Sequence, residues 1–291
     1  MNRYHGIELS ERHWFPSSLF GESVEFLGYF ENISNIFSTV APLLRHALDR
    51  SGTSAVIDLC SGGGGPWPRL AREMKRQNGL CPSVLLTDKN PEAGLLRNCR
   101  IFSSNGDTIA CSSQPIDARN VPADLDGVLT FFNAFHHFSP REAHDILGNA
   151  VSTGRGIAVF EATERSLFSI IQMIFTLPPL VWVLTPFLRP VRFSRIFFTY
   201  VVPILPLVIT LDGVLSSLRT YTPEELRRFA GNCDGTVYTW RAGSIKSFRL
   251  PRKITYLIGY PLHRVKKDGL HSKADPHPTN TKKTCYEKGV G

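Results

Sequence analysis

Between positions 58 and 65 the chain reads Asp58-Leu59-Cys60-Ser61-Gly62-Gly63-Gly64-Gly65, a carboxylate followed closely by four consecutive glycines. Glycine has no Cβ, so such a backbone can turn sharply and lie directly against a ligand. The apolar run Ala55–Leu59 just before it has strand character. In an α/β sheet the first strand-to-helix turn is where a nucleotide-like cofactor sits. No Gly-Lys-Ser/Thr follows to hold phosphates and magnesium, and Trp67, Pro68 and Arg69 spoil a Gly-x-Gly-x-x-Gly dinucleotide turn. Farther on, Asp88 closes Leu85-Leu86-Thr87-Asp88. An acid roughly 20 or more residues beyond the glycines can accept hydrogen bonds from both hydroxyls of a ribose. His136 and His137 end the segment Thr130–Phe138, and an imidazole titrating near neutrality suits removal of a proton from a substrate hydroxyl. Each residue also has a structural reading: Asp88 as a turn residue, the histidines as packing under the sheet edge and lining the pocket.

These groups need a scaffold that delivers them to one edge. Strand-like runs occur at Ala55–Leu59, Ser83–Thr87, Thr108–Cys111, Gly127–Phe132 and Gly156–Glu161, with helical segments at Trp67–Gln77, Pro91–Ile101 and Pro140–Ser152 between them. Asn90 and Ser139 are apt N-caps, and Pro91 and Pro140 sit where the first helical turn tolerates proline. Strands alternating with helices predict a mainly parallel, doubly wound sheet. Gly235–Trp240 and Lys253–Tyr260 read as the last two strands, and Thr222 with Glu225 forms a capping box for a helix starting at Pro223. Before the first strand, apolar positions spaced by three and four between Phe26 and Leu48 predict amphipathic helices that cover one mouth of the pocket.

The segment Asp58–Gly64 resembles motif I of the class I S-adenosylmethionine-dependent methyltransferases, Asp-x-Gly-x-Gly-x-Gly, with Cys60 at the first glycine position and Gly62 and Gly64 at the second and third. The resemblance implies a seven-stranded class I methyltransferase sheet, with S-adenosylmethionine as cofactor and S-adenosylhomocysteine as product. It implies cofactor contacts by Gly62, Gly64, Asp88 and Asp117, the last towards adenine, with Ser61, Gly63 and Asn133 as further contacts. The pair His136-His137 is similar to the leucine-histidine-histidine ending of small-molecule methyltransferases, which makes either a candidate catalytic base. Glu161 is a possible substrate contact or a structural carboxylate. Neither an Asn-Pro-Pro-Tyr nor a Pro-Cys follows the fourth strand, which disfavours amide or adenine N-methylation and cytosine C5 methylation.

A net charge of +8 suggests an acidic partner, yet much of the excess is scattered from Arg189 to Lys267 as a solvated face would be. Six cysteines without Cys-x-x-Cys or zinc-type spacing argue for reduced thiols in a cytoplasmic protein and for no structural metal. After the fifth strand, Leu167–Leu188 is an uncharged apolar run of 22 residues, followed by Arg189, Arg192 and Arg195 and by a second apolar run, Ile196–Leu211. The first run would reach about 33 Å as one helix, but the four prolines within the two runs fit broken or re-entrant helices better than straight spans. The expectation is a hydrophobic flap, with four covers open to it: one leaflet of a membrane met by the three arginines, a lipophilic substrate, a second subunit, or the N-terminal helices; a true membrane span is the remaining alternative. The chain then divides into a helical cap (1–51), a methyltransferase domain (52–264) with an apolar insert (165–218), and a basic tail (265–291) of disordered character. The function expected is methyl transfer to a small lipophilic acceptor by a cytoplasmic enzyme peripheral to the inner face of a membrane. A protein or RNA methyltransferase and a non-catalytic membrane scaffold of the same fold are the alternatives. Nucleic acid is the less favoured partner, and the oligomeric state is left open.

Overall fold

The structure, a computed structural model, describes residues 1–4, 6, 8–9, 13–91, 99, 108–233, 238–249 and 252–262. The helix expected over Pro91–Ile101 and the tail from 265 lie outside these residues for all or most of their length.

Alternating strands and helices build one sheet. After α1 (Ser17–Ser34) and α2 (Ala41–Ser51) come β1 (Ala55–Asp58), α3 (Trp67–Asn78), β2 (Ser83–Leu86), β3 (Ile109–Cys111), β4 (Val128–Phe132), α4 (Pro140–Ser152) and β5 (Ile157–Glu161). The insert follows as α5 (Leu167–Leu184), α6 (Phe193–Ile196) and α7 (Ile204–Arg219), and the chain closes with α8 (Pro223–Gly231), β6 (Tyr238–Lys246) and β7 (Lys253–Pro261). The strand order is β3-β2-β1-β4-β5-β7-β6. The first five strands are parallel, and β7 runs antiparallel to both β5 and β6, with Glu161 opposite Thr255.

Because strand side chains alternate, neighbouring residues feed opposite cores. Val56, Phe132 and Phe160 face one layer with Trp67, Leu44 and Leu48, while Ile57, Phe131 and Val159 face the other with Ile146, Leu147 and Leu226. Helix starts match local chemistry: Ser139 and Thr222 each make a reciprocal capping box, with Glu142 and Glu225. The sixth strand starts at Tyr238 and runs on to Lys246, past the expected Trp240, because its polar, half-exposed alternation hides an edge strand.

Three expectations for the insert and the cysteines are corrected. Pro178 and Pro179 sit inside a continuous α5; the loss of two ladder donors does not end the helix. The second run does break as expected, between Val201 and Ile204, where a π-turn and Pro203 bend the chain by 81°, while Pro206 lies inside α7. Arg192 and Arg195 do not face outward: they ion-pair with Glu22 and Glu25 of α1, and Arg195 is only 1% exposed. These pairs, with Phe26, Val181, Leu205 and Ile209 as a third apolar cluster, tie the insert to α1. Arg189 alone of the three is exposed. Cys99 and Cys111, expected to be reduced, form a disulfide with Cα atoms 6.0 Å apart. The connection from β2 to its parallel neighbour β3 brings one beside the other, although they are 12 residues apart in sequence.

Candidate cofactor and acceptor site

The glycine turn leaves β1 at its C-terminal end. Cys60, Gly62, Gly64 and Gly65 all have positive φ, at 57°, 50°, 100° and 51°. Cys60 thus adopts a left-handed backbone that glycine would take more readily. Buried Asp58 anchors the turn by accepting hydrogen bonds from Ser61 Oγ and Thr130 Oγ1, both at 2.7 Å. Burial pushes the Asp58 carboxyl up to about 6. The Ser61 hydroxyl is fully engaged, since it also accepts from the Thr87 amide at 3.1 Å. It holds the loop's shape from beneath.

Asp88 stands at the end of β2, where Oδ2 accepts from the Gly62 amide at 3.0 Å and Oδ1 from the Asn90 amide at 3.0 Å. The first bond closes the loop onto the neighbouring strand, so the carboxylate is held at the rim of the turn. The Asp117 segment is tied to Asp88 through Ile116 N–H to the Asp88 carbonyl, 2.9 Å. Asp117 itself is clamped by Arg119 at 2.5 Å, with Lys89 at 3.8 Å, and hydrogen bonds from Arg119 hold its carboxyl at about 2.

Asn133 follows β4 with φ 49°. Its Nδ2 donates to Glu31 at 2.6 Å, and its Oδ1 accepts from the Ala162 amide at 2.7 Å. Glu31 is the residue that sequence reasoning missed. It lies on α1, which packs on the glycine turn through Gly28 and Val24 and through Asn32 Nδ2 to the Gly65 carbonyl, 3.3 Å. Burial raises the Glu31 carboxyl to about 7. The one local signal is an acidic residue close to an apolar helix stripe, one turn past Leu27 and Gly28; periodicity alone reads that stripe as packing.

The histidines occupy a single 3-10 turn, Phe135–His137. His136 is buried; its backbone N–H meets Glu161 at 3.1 Å and its Nδ1 meets the other oxygen at 2.7 Å. With the proton on Nδ1, Nε2 carries a free lone pair, and it has no hydrogen-bond partner. Glu8 lies 3.9 Å from it. His137 Nδ1 accepts from the Arg219 guanidinium at 2.9 Å, and Arg219 also reaches Glu8 at 2.5 Å. Glu161 is therefore the carboxylate that orients His136. The N-terminal segment straps over this pair: Arg3 donates to the carbonyls of His136, Phe138 and Arg219 at 3.1, 2.9 and 2.6 Å. Glu8, His136 and His137 bring donor atoms within 4.8 Å of one another, but Arg219 already places a positive charge among them. A metal ion there would sit against that guanidinium.

The sheet edge thus gathers Gly62–Gly65, Asp88, Asn133 and Glu31 around one turn and His136 with Glu161 one strand farther on. Asp117 lies at the rim beside Lys89. No protein-family model and no curated protein sequence matches the chain. Solved structures do. The plantazolicin methyltransferase in complex with S-adenosylhomocysteine superposes with a TM-score of 0.53 at 10% identity, over 85% of this chain and 92% of that one. A SAM-dependent methyltransferase from Aquifex aeolicus gives 0.47 at 10% identity, over 82% and 97%. The pyocyanin biosynthetic protein PhzM gives 0.44 at 15% identity, and the chain, matched over 77% of its own length, spans 55% of that protein. The strand order, the reversed seventh strand and the first of these superpositions together establish that the chain has the class I methyltransferase fold.

Proposed function

We propose that the protein transfers a methyl group from S-adenosylmethionine to a small, lipophilic acceptor. The observation that carries this reading is the left-handed glycine turn closed by Asp88 at the strand edge, a cradle with a carboxylate where a ribose would hydrogen-bond. The cofactor, when bound, supplies an activated methyl group on a sulfonium. Residues 62–65 would lie against it with their backbone, and Asp88 would orient its sugar. Glu31 would offer a carboxylate to its positive end, which makes ionisation of that buried group favourable.

The acceptor side belongs to His136. Its Nε2 lone pair can take the proton of an acceptor hydroxyl or amine as that atom attacks, and Glu161 would stabilise the imidazolium that results. This requires the strap contacts of Arg3, Tyr4, Gly6, Glu8 and Leu9 to give way over a ring that is 2% exposed. The lipophilic character of the acceptor, and attachment to the inner face of a membrane, are inferred from α5. With the 3-10 turn that follows it, α5 forms an apolar segment, Leu167–Phe187, with a mean hydropathy of 2.0 over 18 residues of which only 22% are buried, far more apolar surface than water favours. A nucleic-acid or protein acceptor gains less support, since Arg192, Arg195 and Arg219 spend their charge on internal acids.

Titration of S-adenosylhomocysteine into the purified protein tests the cofactor reading. Micromolar binding is expected, and no heat of binding in a folded sample overturns it.

A further inference from the structure

A second cleft opens at the same sheet edge, two strands from the glycine turn. It has a volume of about 460 Å³ and is bounded by Ala162 after β5, by the first turn of α5 and by the β6–β7 turn. Ala162 is the residue whose amide is bonded to Asn133, so the cleft begins next to the end of β4.

Its charge is unusual for the position. Lys246 and Lys253 face each other directly across the antiparallel β6–β7 ladder, and both line the cleft. Like charges placed opposite one another on a ladder repel and cost stability. Half-buried Arg252, next in sequence to Lys253, lines it too, and none of the three has an ion-pair partner among the described residues. Glu164 is the one carboxylate on the wall, which leaves the cations in excess by three to one. Such a cluster is relieved by an anion.

The other wall is apolar and does not end in the cleft. Phe168, 73% exposed, lines it, and from there Ile171, Phe175 and Trp182 continue as an exposed stripe along α5. Spacings of three, four and seven put them on one helix face. A basic pocket joined to an uncharged stripe of about 20 Å is complementary to one kind of molecule.

We propose that this cleft binds the anionic head, a carboxylate or phosphate, of a single-chain amphiphile whose apolar body lies along α5. Such binding does not depend on the methyltransferase reading. The occupant is a dispersed molecule and not a bilayer, because the head is received by a recessed wall of Ala162, Ser166 and Ser169.

Dodecyl phosphate, dodecyl maltoside and inorganic phosphate, each below any micelle-forming concentration, serve as probes in calorimetric titrations of the full chain. Dodecyl phosphate should bind at least tenfold more tightly than the neutral maltoside, and inorganic phosphate should bind more weakly than dodecyl phosphate. The triple variant Lys246→Gln/Arg252→Gln/Lys253→Gln should lose that tenfold preference. Phe168→Ser/Phe175→Ser should weaken dodecyl phosphate and leave inorganic phosphate unchanged, with melting temperatures confirming that each variant folds. Equal affinity for the charged and neutral chains, an unaltered preference in the triple variant, or binding only to phosphatidylglycerol vesicles would overturn the proposal. S-adenosylhomocysteine is titrated into the same samples: its failure to bind would remove the methyltransferase reading while a positive dodecyl phosphate result kept the cleft.

Discussion

The glycine-turn edge of the sheet and the α5–α7 insert solve opposite problems. At the edge, the chain satisfies its polar groups with one another: Asp58 with Ser61 and Thr130, Asp88 with Gly62, Asn133 with Glu31 and Ala162, Glu161 with His136. In the insert the unsatisfied surface is apolar. Phe168, Phe175, Val183 and Phe187 are each more than 60% exposed among the described residues. The first region satisfies its own polar groups. The second leaves apolar surface open, and the proposals about acceptor and location rest on it.

The largest effect that would break this comparison is at Gly64. Its φ of 100° is closed to branched side chains, so Gly64→Val is expected to abolish S-adenosylhomocysteine binding by calorimetry while the sheet stays folded by circular dichroism. Unchanged affinity would mean the edge is not a cofactor site. Next is His136→Ala, for which turnover should fall about 10²–10⁴-fold with cofactor affinity retained. A loss of rate no greater than the loss of stability would reduce the dyad to packing.

Arg195→Met probes the seam between the two regions. It takes from buried Glu22 its most deeply buried partner, for which a loss of about 3–5 kcal/mol in urea unfolding is expected. Adding Glu22→Gln should recover much of it; no recovery would show that the pair's partner is not Glu22. A smaller effect comes from Glu31 and Asp58. Their carboxyls rise from ordinary values of 4.5 and 3.8 to about 7 and about 6 in the fold, so the folded state binds more protons than the unfolded chain between those limits. Their contribution to stability is therefore complete below pH about 4 and is lost as pH rises towards 7. The cofactor-free melting temperature of Glu31→Gln should show a shallower fall over pH of about 5–7 than that of the parent; identical slopes would remove Glu31 from the edge network. Least of all, Phe175→Ser should leave cofactor binding untouched and weaken the binding of dodecyl phosphate several-fold.

Legibility in the sequence follows the range of the interactions. The ends of the first five strands are readable within one residue from their apolar runs, and the helix starts at Pro140 and Pro223 because Ser139 and Thr222 carry their own caps. The glycine turn and the acid at 88 are readable for the same reason. What cannot be read is long-range. Glu22 and Glu25 meet Arg192 and Arg195 across 167 to 173 residues, and nothing local marks an arginine as spoken for. Glu31 reaches Asn133 across 102 residues and hides within a helix read as packing. The Cys99–Cys111 bond depends on a crossover whose closure no spacing rule supplies.

The strap over the histidines has a consequence for the order of assembly. Arg3 binds the Arg219 carbonyl and Leu9 N–H binds Asp212, contacts that join residues 216 and 203 positions apart. Arg3 and Leu9 therefore have no place to dock until α7 has been made. At about 5–20 residues per second that is a wait of roughly 10–40 s. By the end of that interval the glycine turn and the sheet's first five strands exist as sequence, while His136 is still without its cover. Closure of the strap over the histidines thus waits on the insert, and its completion reports that α7 is in place.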